Sequence, residues 1–180
     1  NFAAALGGEQ GSFRGESYVI VSALGHLYGF IDDASRQVPA DKAEQYHSWK
    51  PENLPWDEND FQWKYEMKPK AQAVLKKISQ GLAGCSEICI GTDDDPSGEG
   101  ELLAWEIISH LKLKAAKYTR MLFEDETAAS IQKAFCQRQT LGTDLSCMAA
   151  DPDYRQAIFR TKWDYLSMQW TRLATAYGIR

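Results

Sequence analysis

Apolar residues recur along this chain with two periods. Tyr18, Val19, Ile20 and Val21 make a continuous β-rich run that Gly25 ends, which predicts a strand over 17–23. Phe61, Trp63, Tyr65 and Met67 alternate with polar residues, the pattern of a half-buried strand over 61–67. Short strands are also predicted at 86–92 and 117–124. Between these runs the period lengthens to that of a helix. Residues 69–82 carry Ala71, Val74 and Leu75 on one face with lysines outside, and 96–112 place Leu103, Ile107 and Leu111 four apart. A helix over 125–137 turns Ala128, Ile131 and Phe135 inward, with Asp125 or Thr127 as its cap, and a long helical tract runs from Asp151 to Tyr177.

Strands alternating with helices imply βαβ units. The predicted class is therefore α/β, a mainly parallel sheet flanked by helices, followed by an all-helical C-terminal segment. Alternation stops near 140–150, so the expected division is 1–145 and 146–180. From Ile31 to Asp60 the chain is polar, with Pro39, Pro51 and Pro55, and reads as a long connection holding a short helix over 41–48. The opening "NFAAALGG" reads as the last turn of a helix closing on Gly7 and Gly8, so the chain is expected to be an excised piece.

Composition narrows the class. A chain of 180 residues has room for one domain and part of a second, and its 44% hydrophobic content is that of a soluble globular protein. No apolar run approaches the ~20 residues of a membrane span and no signal peptide is visible, so no membrane partner is expected. Cys85, Cys89, Cys136 and Cys147 form no CxxC pair and no zinc spacing, which predicts free thiols in a reducing cytoplasm. A net charge of −5 argues against non-specific nucleic-acid binding. The balance is uneven, however. From Tyr154 onward the chain carries Arg155, Arg160, Lys162, Arg172 and Arg180 against Asp164 alone, a net of +4. An acidic loop and a basic end suit an enzyme that binds a metal in one place and a polyanion in another.

That acidic loop lies in "IGTDDDPSGEGELLAWEI", residues 90–107, directly behind the third predicted strand. In open parallel sheets, ligands sit at the carboxyl ends of strands. Hard cations such as Mg2+ take carboxylate oxygens together with water and phosphate oxygens. Alternate residues of an extended stretch project to the same side, so Asp93 and Asp95 are candidates to converge on one ion while Asp94 points away. Pro96 suits the first helical position behind an Asp95 cap. Plain helix capping explains one or two of these acids but hardly three. A calcium EF-hand fits Asp93, Asp95, Ser97 and Gly98, but it fails at Ala104, where a bidentate Glu is required. A solvated acidic turn stays open as the third reading.

The spacing Asp93-x-Asp95-x-x-Gly98-Glu99 resembles the D-x-D-x-x-G-E signature of the Toprim domain. With its surroundings, the chain resembles the N-terminal part of a type IA DNA topoisomerase of the topoisomerase III-like kind. Gly25-His26-Leu27 is similar to the family's G-H-L segment, and Trp49, Leu54 and Pro55 to its W-x-x-x-x-L-P. "RMLFEDETAASIQKAF" resembles its R-x-x-F-x-E-x-T-x-x-A-I-x-x-A-F stretch. Arg160, Asp164, Tyr165, Thr171 and Arg172 resemble its R-x-x-x-D-W-x-x-G-x-N-x-T-R helix. The family cuts one DNA strand through a phosphotyrosine link, passes another strand and reseals the break. The resemblance implies a Toprim-type fold, Mg2+ held by Asp93 and Asp95, and single-stranded DNA met by Arg160, Asp164 and Arg172.

The family usually spells its loop D-P-D-R-E-G-E. Aligned without a gap, Ser97 takes the place of the ligand Glu; with a two-residue insertion Glu99 takes it and Glu101 the next, and we favour Glu99 as the third ligand because a third acid balances a divalent ion. The basic residue between the family's acids is missing in either frame. The family's first-strand Glu-Lys-Pro and its nucleophilic tyrosine are expected outside residues 1–180, in the remaining domains of the parent topoisomerase, so this piece is expected to bind metal and DNA without cleaving. His26 is either a satisfied structural histidine or a general acid facing DNA. Trp163, Tyr165 and Trp170 interleave with the basic residues as stacking platforms for bases would, but their helical spacing favours the core, and Trp49, Leu54 and Pro55 are read as packing. Two alternatives remain: a Toprim nuclease or primase-like protein, and a non-catalytic, metal-dependent nucleic-acid-binding module.

Overall fold

The first polar stretch of the chain closes on itself as a hairpin. In the computed structural model, which describes residues 1–23, 25–47 and 50–178, helix α1 (Phe2–Leu6) ends at Gly7 as the sequence implies. Strands β1 (Gln10–Phe13) and β2 (Glu16–Val19) then pair antiparallel, Phe13 opposite Glu16. Arg14 and Gly15 between them have φ of 49° and 85°. Two positive φ values in a two-residue loop make a type I′ turn, whose twist matches that of the strands. β2 covers only the start of the predicted 17–23 run. β1 has no counterpart in the apolar pattern, since Gln10, Gly11 and Ser12 are polar or small and exposed.

The chain divides into two units, each built from two stretches: Asn1–Leu27 with Pro69–Ala157, and Tyr28–Lys68 with Ile158–Arg180. The sequence pattern offered a single cut, between 145 and 146. In the second unit, β3 (Tyr28–Phe30), α2 (Ala34–Gln37), α3 (Ala43–Tyr46) and β4 (Tyr65–Met67) are linked through single 3-10 turns at Pro51–Asn53 and Glu58–Asp60. β3 and β4 pair antiparallel, Phe30 opposite Tyr65. Only the last three residues of the period-2 run 61–67 are strand. Trp63 has φ 51°, and the segment before β4 bonds instead to the buried Gln37. Gln62 N–H donates to the Gln37 carbonyl at 2.6 Å and Lys64 N–H to Gln37 Oε1 at 2.6 Å. Gln37 Nε2 in turn donates to the carbonyls of Ile31 at 3.0 Å and Lys64 at 2.9 Å. One carboxamide therefore does what a strand's backbone would have done.

In the first unit α4 (Ala71–Gly81) buries Ala71, Leu75 and Ile78. Strand β5 (Glu87–Ile90), helix α5 (Glu99–His110) and strand β6 (Lys117–Arg120) form the expected βαβ unit, with β5 and β6 parallel. Helix α6 (Ala128–Cys136) is capped by Thr127, whose Oγ1 accepts from Ser130 N–H at 3.3 Å, while Asp125, two residues ahead, accepts from the backbone and hydroxyl of Thr127. Strand β7 (Gln139–Gly142), a polar segment with no strand signal, then joins β6 antiparallel, so the sheet is mixed with order β5-β6-β7. Leu103, Ile107 and Leu111 do not define the inner face of α5. Leu102, Trp105 and Ile108 are buried beside Ile107, because this helix is covered on more than one side. Trp105 packs with Ile88, Ile90, Ile108 and Tyr118; a second cluster joins Leu6, Met121, Ile131 and Phe135.

A short helix α7 (Ser146–Ala150) leads into α8 (Pro152–Ala176). Asp151 caps α8 from a buried position, accepting from Asp153 N–H at 3.0 Å and Tyr154 N–H at 3.2 Å, while Trp105 Nε1–H donates to its other oxygen at 2.9 Å. Within the second unit, Leu166 completes the core of Ala34, Val38, Tyr46, Trp56 and Phe61. Gln169 Oε1 accepts from Trp56 N–H at 2.5 Å, and Tyr165 donates to the Ile31 carbonyl at 3.0 Å. Leu54 packs on this core as expected, Pro55 is exposed, and Trp49 lies outside the described residues. Trp163 and Trp170 also depart from expectation. Both are exposed, because the arc of α8 through Tyr165, Leu166 and Gln169 takes the buried side. Among the described residues, no helix is long and apolar enough to cross a membrane.

Trp105 is fully buried and also tethers Asp151. Trp105→Ala is expected to lower unfolding stability by about 3–5 kcal/mol in urea titrations, with the midpoint moving and the slope unchanged.

Candidate metal and nucleic-acid site

The loop after β5 is built by its own first polar groups. Asp93 and Asp94 are exposed and Asp95 is half-buried. Asp95 Oδ1 accepts from Ser97 N–H at 2.7 Å and from the Ser97 hydroxyl, and its carbonyl accepts from Gly98 N–H at 3.0 Å. Asp95 therefore starts a tight turn and does not cap the helix. α5 begins at Glu99, three residues beyond the predicted start. Thr92, at the base of the loop, has a buried Oγ1 with no hydrogen-bond partner.

One side chain ties this loop to the sheet. Arg120, buried at the end of β6, ion-pairs through Nε with Glu101, itself buried in the first turn of α5. Its Nη1 donates to the Thr92 carbonyl at 2.6 Å and the Met121 carbonyl at 2.7 Å, and Nη2 to the Asp93 carbonyl at 3.1 Å. Burial pushes the Glu101 carboxyl pKa up, and the Arg120 charge and hydrogen bond pull against it. Glu101 is thereby committed to Arg120. Glu99 stands differently. Its side chain is 53% exposed, and Oε1 lies 3.3 Å from His26 Nε2. On the other side of the same ring, Nδ1 lies 3.1 Å from Oε2 of the buried Glu106.

Gly98 sits hard against the start of α8. In the frame that puts Glu99 in the place of the family's ligand Glu, Gly98 stands where the family has Arg. Its φ is +69°, and a Cβ there would lie 2.2 Å from the carbonyl oxygen of Asp153, in the first turn of α8. Gln156 Nε2 also donates to the Pro96 carbonyl at 2.7 Å, so that turn closes over the loop and leaves no room for a side chain at 98.

In kind, these donors fit a hard cation. They are oxygens throughout: the carboxylates of Asp93, Asp95 and Glu99, and the unpartnered Oγ1 of Thr92. Their side chains are not gathered, since among the described residues no three His, Cys, Asp or Glu groups stand together as a metal cage. The DNA-contact candidates Arg160, Asp164 and Arg172 are exposed on the part of α8 that belongs to the second unit. The acidic loop and His26 belong to the first. Sequence reading missed Arg120 and Glu106 as site residues. The signal was present in both cases, a single charge inside a mostly apolar run: Arg120 in "YTRMLF" and Glu106 in "LLAWEII".

The chain matches no protein-family profile. It is 26% identical over 141 residues to a protein of Pseudomonas aeruginosa named DNA topoisomerase 1, a match covering 69% of this chain. The similarity is to bacterial DNA topoisomerase 1. The Escherichia coli enzyme of that name is 26% identical across 73% of the chain, and the Streptomyces coelicolor one 29% across 74%. These are type IA topoisomerases, the family whose motifs the sequence resembles. The chain spans 13–16% of the length of these topoisomerase relatives.

Two outcomes test this architecture. Arg120→Met strands a buried carboxylate and is expected to cost about 3–5 kcal/mol. Adding Glu101→Leu is expected to restore most of that loss in the same urea titration. Gly98→Ala forces a side chain at positive φ into the Asp153 backbone and is expected to cost at least about 1–3 kcal/mol.

Proposed function

We propose that this chain is the Toprim-type part, with the start of the adjoining helical DNA-binding segment, of a type IA DNA topoisomerase. Such an enzyme changes DNA topology by transient single-strand cleavage, strand passage and religation. The observation that carries the reading is the similarity to bacterial DNA topoisomerase 1 across 69–74% of the chain. The run of acids at the carboxyl end of a parallel strand supports it in chemical kind.

In this reading Asp93, Asp95 and Glu99 hold Mg2+, and Glu101 supports the loop through Arg120. The bound ion supplies positive charge against a DNA phosphate. Arg160 and Arg172 meet the phosphates of single-stranded DNA, and Asp164 accepts from a base amino group. The partners are single-stranded DNA and the rest of the parent enzyme, in the cytoplasm.

Mg2+ is expected to raise the melting temperature of the chain, and Asp93→Asn with Asp95→Asn to abolish the rise. A rise that survives in the double variant removes the metal from this loop. Arg160→Ala is expected to weaken binding to a single-stranded oligonucleotide more than to a duplex. Equal loss on both, with the same reduction in salt dependence, reduces Arg160 to a plain phosphate contact.

A further inference from the structure

The inner face of α5 carries a group that packing does not call for. Glu106 follows Trp105 and precedes Ile107 and Ile108, all buried, and is itself 5% exposed. A buried carboxylate is costly unless it is paired, and an apolar side chain of similar size would fill the same space without that cost. Its carboxylate meets His26, which comes from the loop before Leu27, 80 residues earlier in the chain. Glu99 and Glu106 are seven apart on α5, two turns of one helical face, and the His26 ring bridges them, with Nδ1 toward the inner acid and Nε2 toward the outer.

We propose that Glu106 is a positioning residue for the acidic loop. It fixes the His26 ring from the buried side, and the ring in turn fixes the carboxylate of Glu99 at the mouth of the loop. An imidazole held at one nitrogen by a buried carboxylate has its orientation and the partner of its other nitrogen set by that bond. His26, 24% exposed in its side chain, is thus neither a plain core histidine nor a group facing solvent freely. It carries an orientation chosen inside α5 outward to a carboxylate that is itself half in water. The proposal rests on the reading that Glu99 serves the metal site.

The test uses the whole chain with ring-15N histidine, in which His26 is identified by the signal lost in His26→Gln. Glu106→Gln keeps the volume of the side chain and removes its charge. The expected result is a displaced Nδ1 signal of His26 without added metal, and a loss of Mg2+ affinity on the order of tenfold in calorimetric titration. Glu99→Gln is expected to displace the Nε2 signal instead. If Glu106→Gln leaves both ring signals and the Mg2+ titration as in the unaltered chain, the proposal is overturned. If the ring signal moves but Mg2+ affinity does not, Glu106 holds His26 for structural reasons alone, which also overturns it. A failure of the underlying reading looks different: the unaltered chain then shows no Mg2+ binding at all.

Discussion

Arg120 and Glu101 form a buried ion pair around which the first unit is arranged. The guanidinium reaches α5 through Glu101 and the carboxyl ends of both β5 and β6 through the carbonyls of Thr92, Asp93 and Met121. A charge in such a place has few acceptable geometries, because each unsatisfied hydrogen on it would be expensive. The planar fork of arginine meets that demand with directional bonds that a lysine could not supply. The path of the backbone at the base of the acidic loop is therefore set from below, by a cation, before any of the three aspartates is considered. The pair also divides the labour among the acids. Glu101 is withdrawn into structure, and Glu99 is left at the surface.

The second unit relies on buried amides in the same way. Gln37 takes three backbone partners where the chain between Phe61 and Tyr65 fails to pair as a strand, and Gln169 accepts from the backbone of Trp56. Around them an aromatic cluster of Phe30, Phe61, Trp63 and Tyr165 packs edge-to-face and offset, with Phe61 and Trp63 stacked at 5.2 Å. Neutral amides carry no Born penalty, so they can sit among rings where a charged group would need a dedicated counterion.

Helices were legible in the sequence wherever one apolar stripe faced one core. α4, α6 and α8 lie within the predicted spans, and the Thr127 cap stands where its hydroxyl type and position suggested. Legibility failed where side chains took over a backbone's work. The period-2 pattern of 61–67 was genuine as burial, since Phe61 is in the core, but Gln37 captured the hydrogen bonds that a strand would have used. β1 and β7 were invisible because an exposed edge needs no apolar alternation. Trp163 and Trp170 were misplaced because spacing reveals a shared face without revealing which face is covered. In the site, the acids were legible as residue types. Their partners were not, because Arg120 is 19 residues from Glu101 and His26 is 80 from Glu106.

The closeness of Gly98 to Asp153 has a consequence for how this sequence can change over time. When a side chain blocks a neighbour, a second substitution can shrink the blocker and reopen the position. Here the blocking atom is a carbonyl oxygen of the main chain, present whatever residue occupies position 153. No exchange of one amino acid for another removes it. A lineage that settles into this arrangement keeps position 98 bare for as long as the backbone at the start of α8 holds its course, so the glycine is held by a lock for which a change of side chain at 153 has no key.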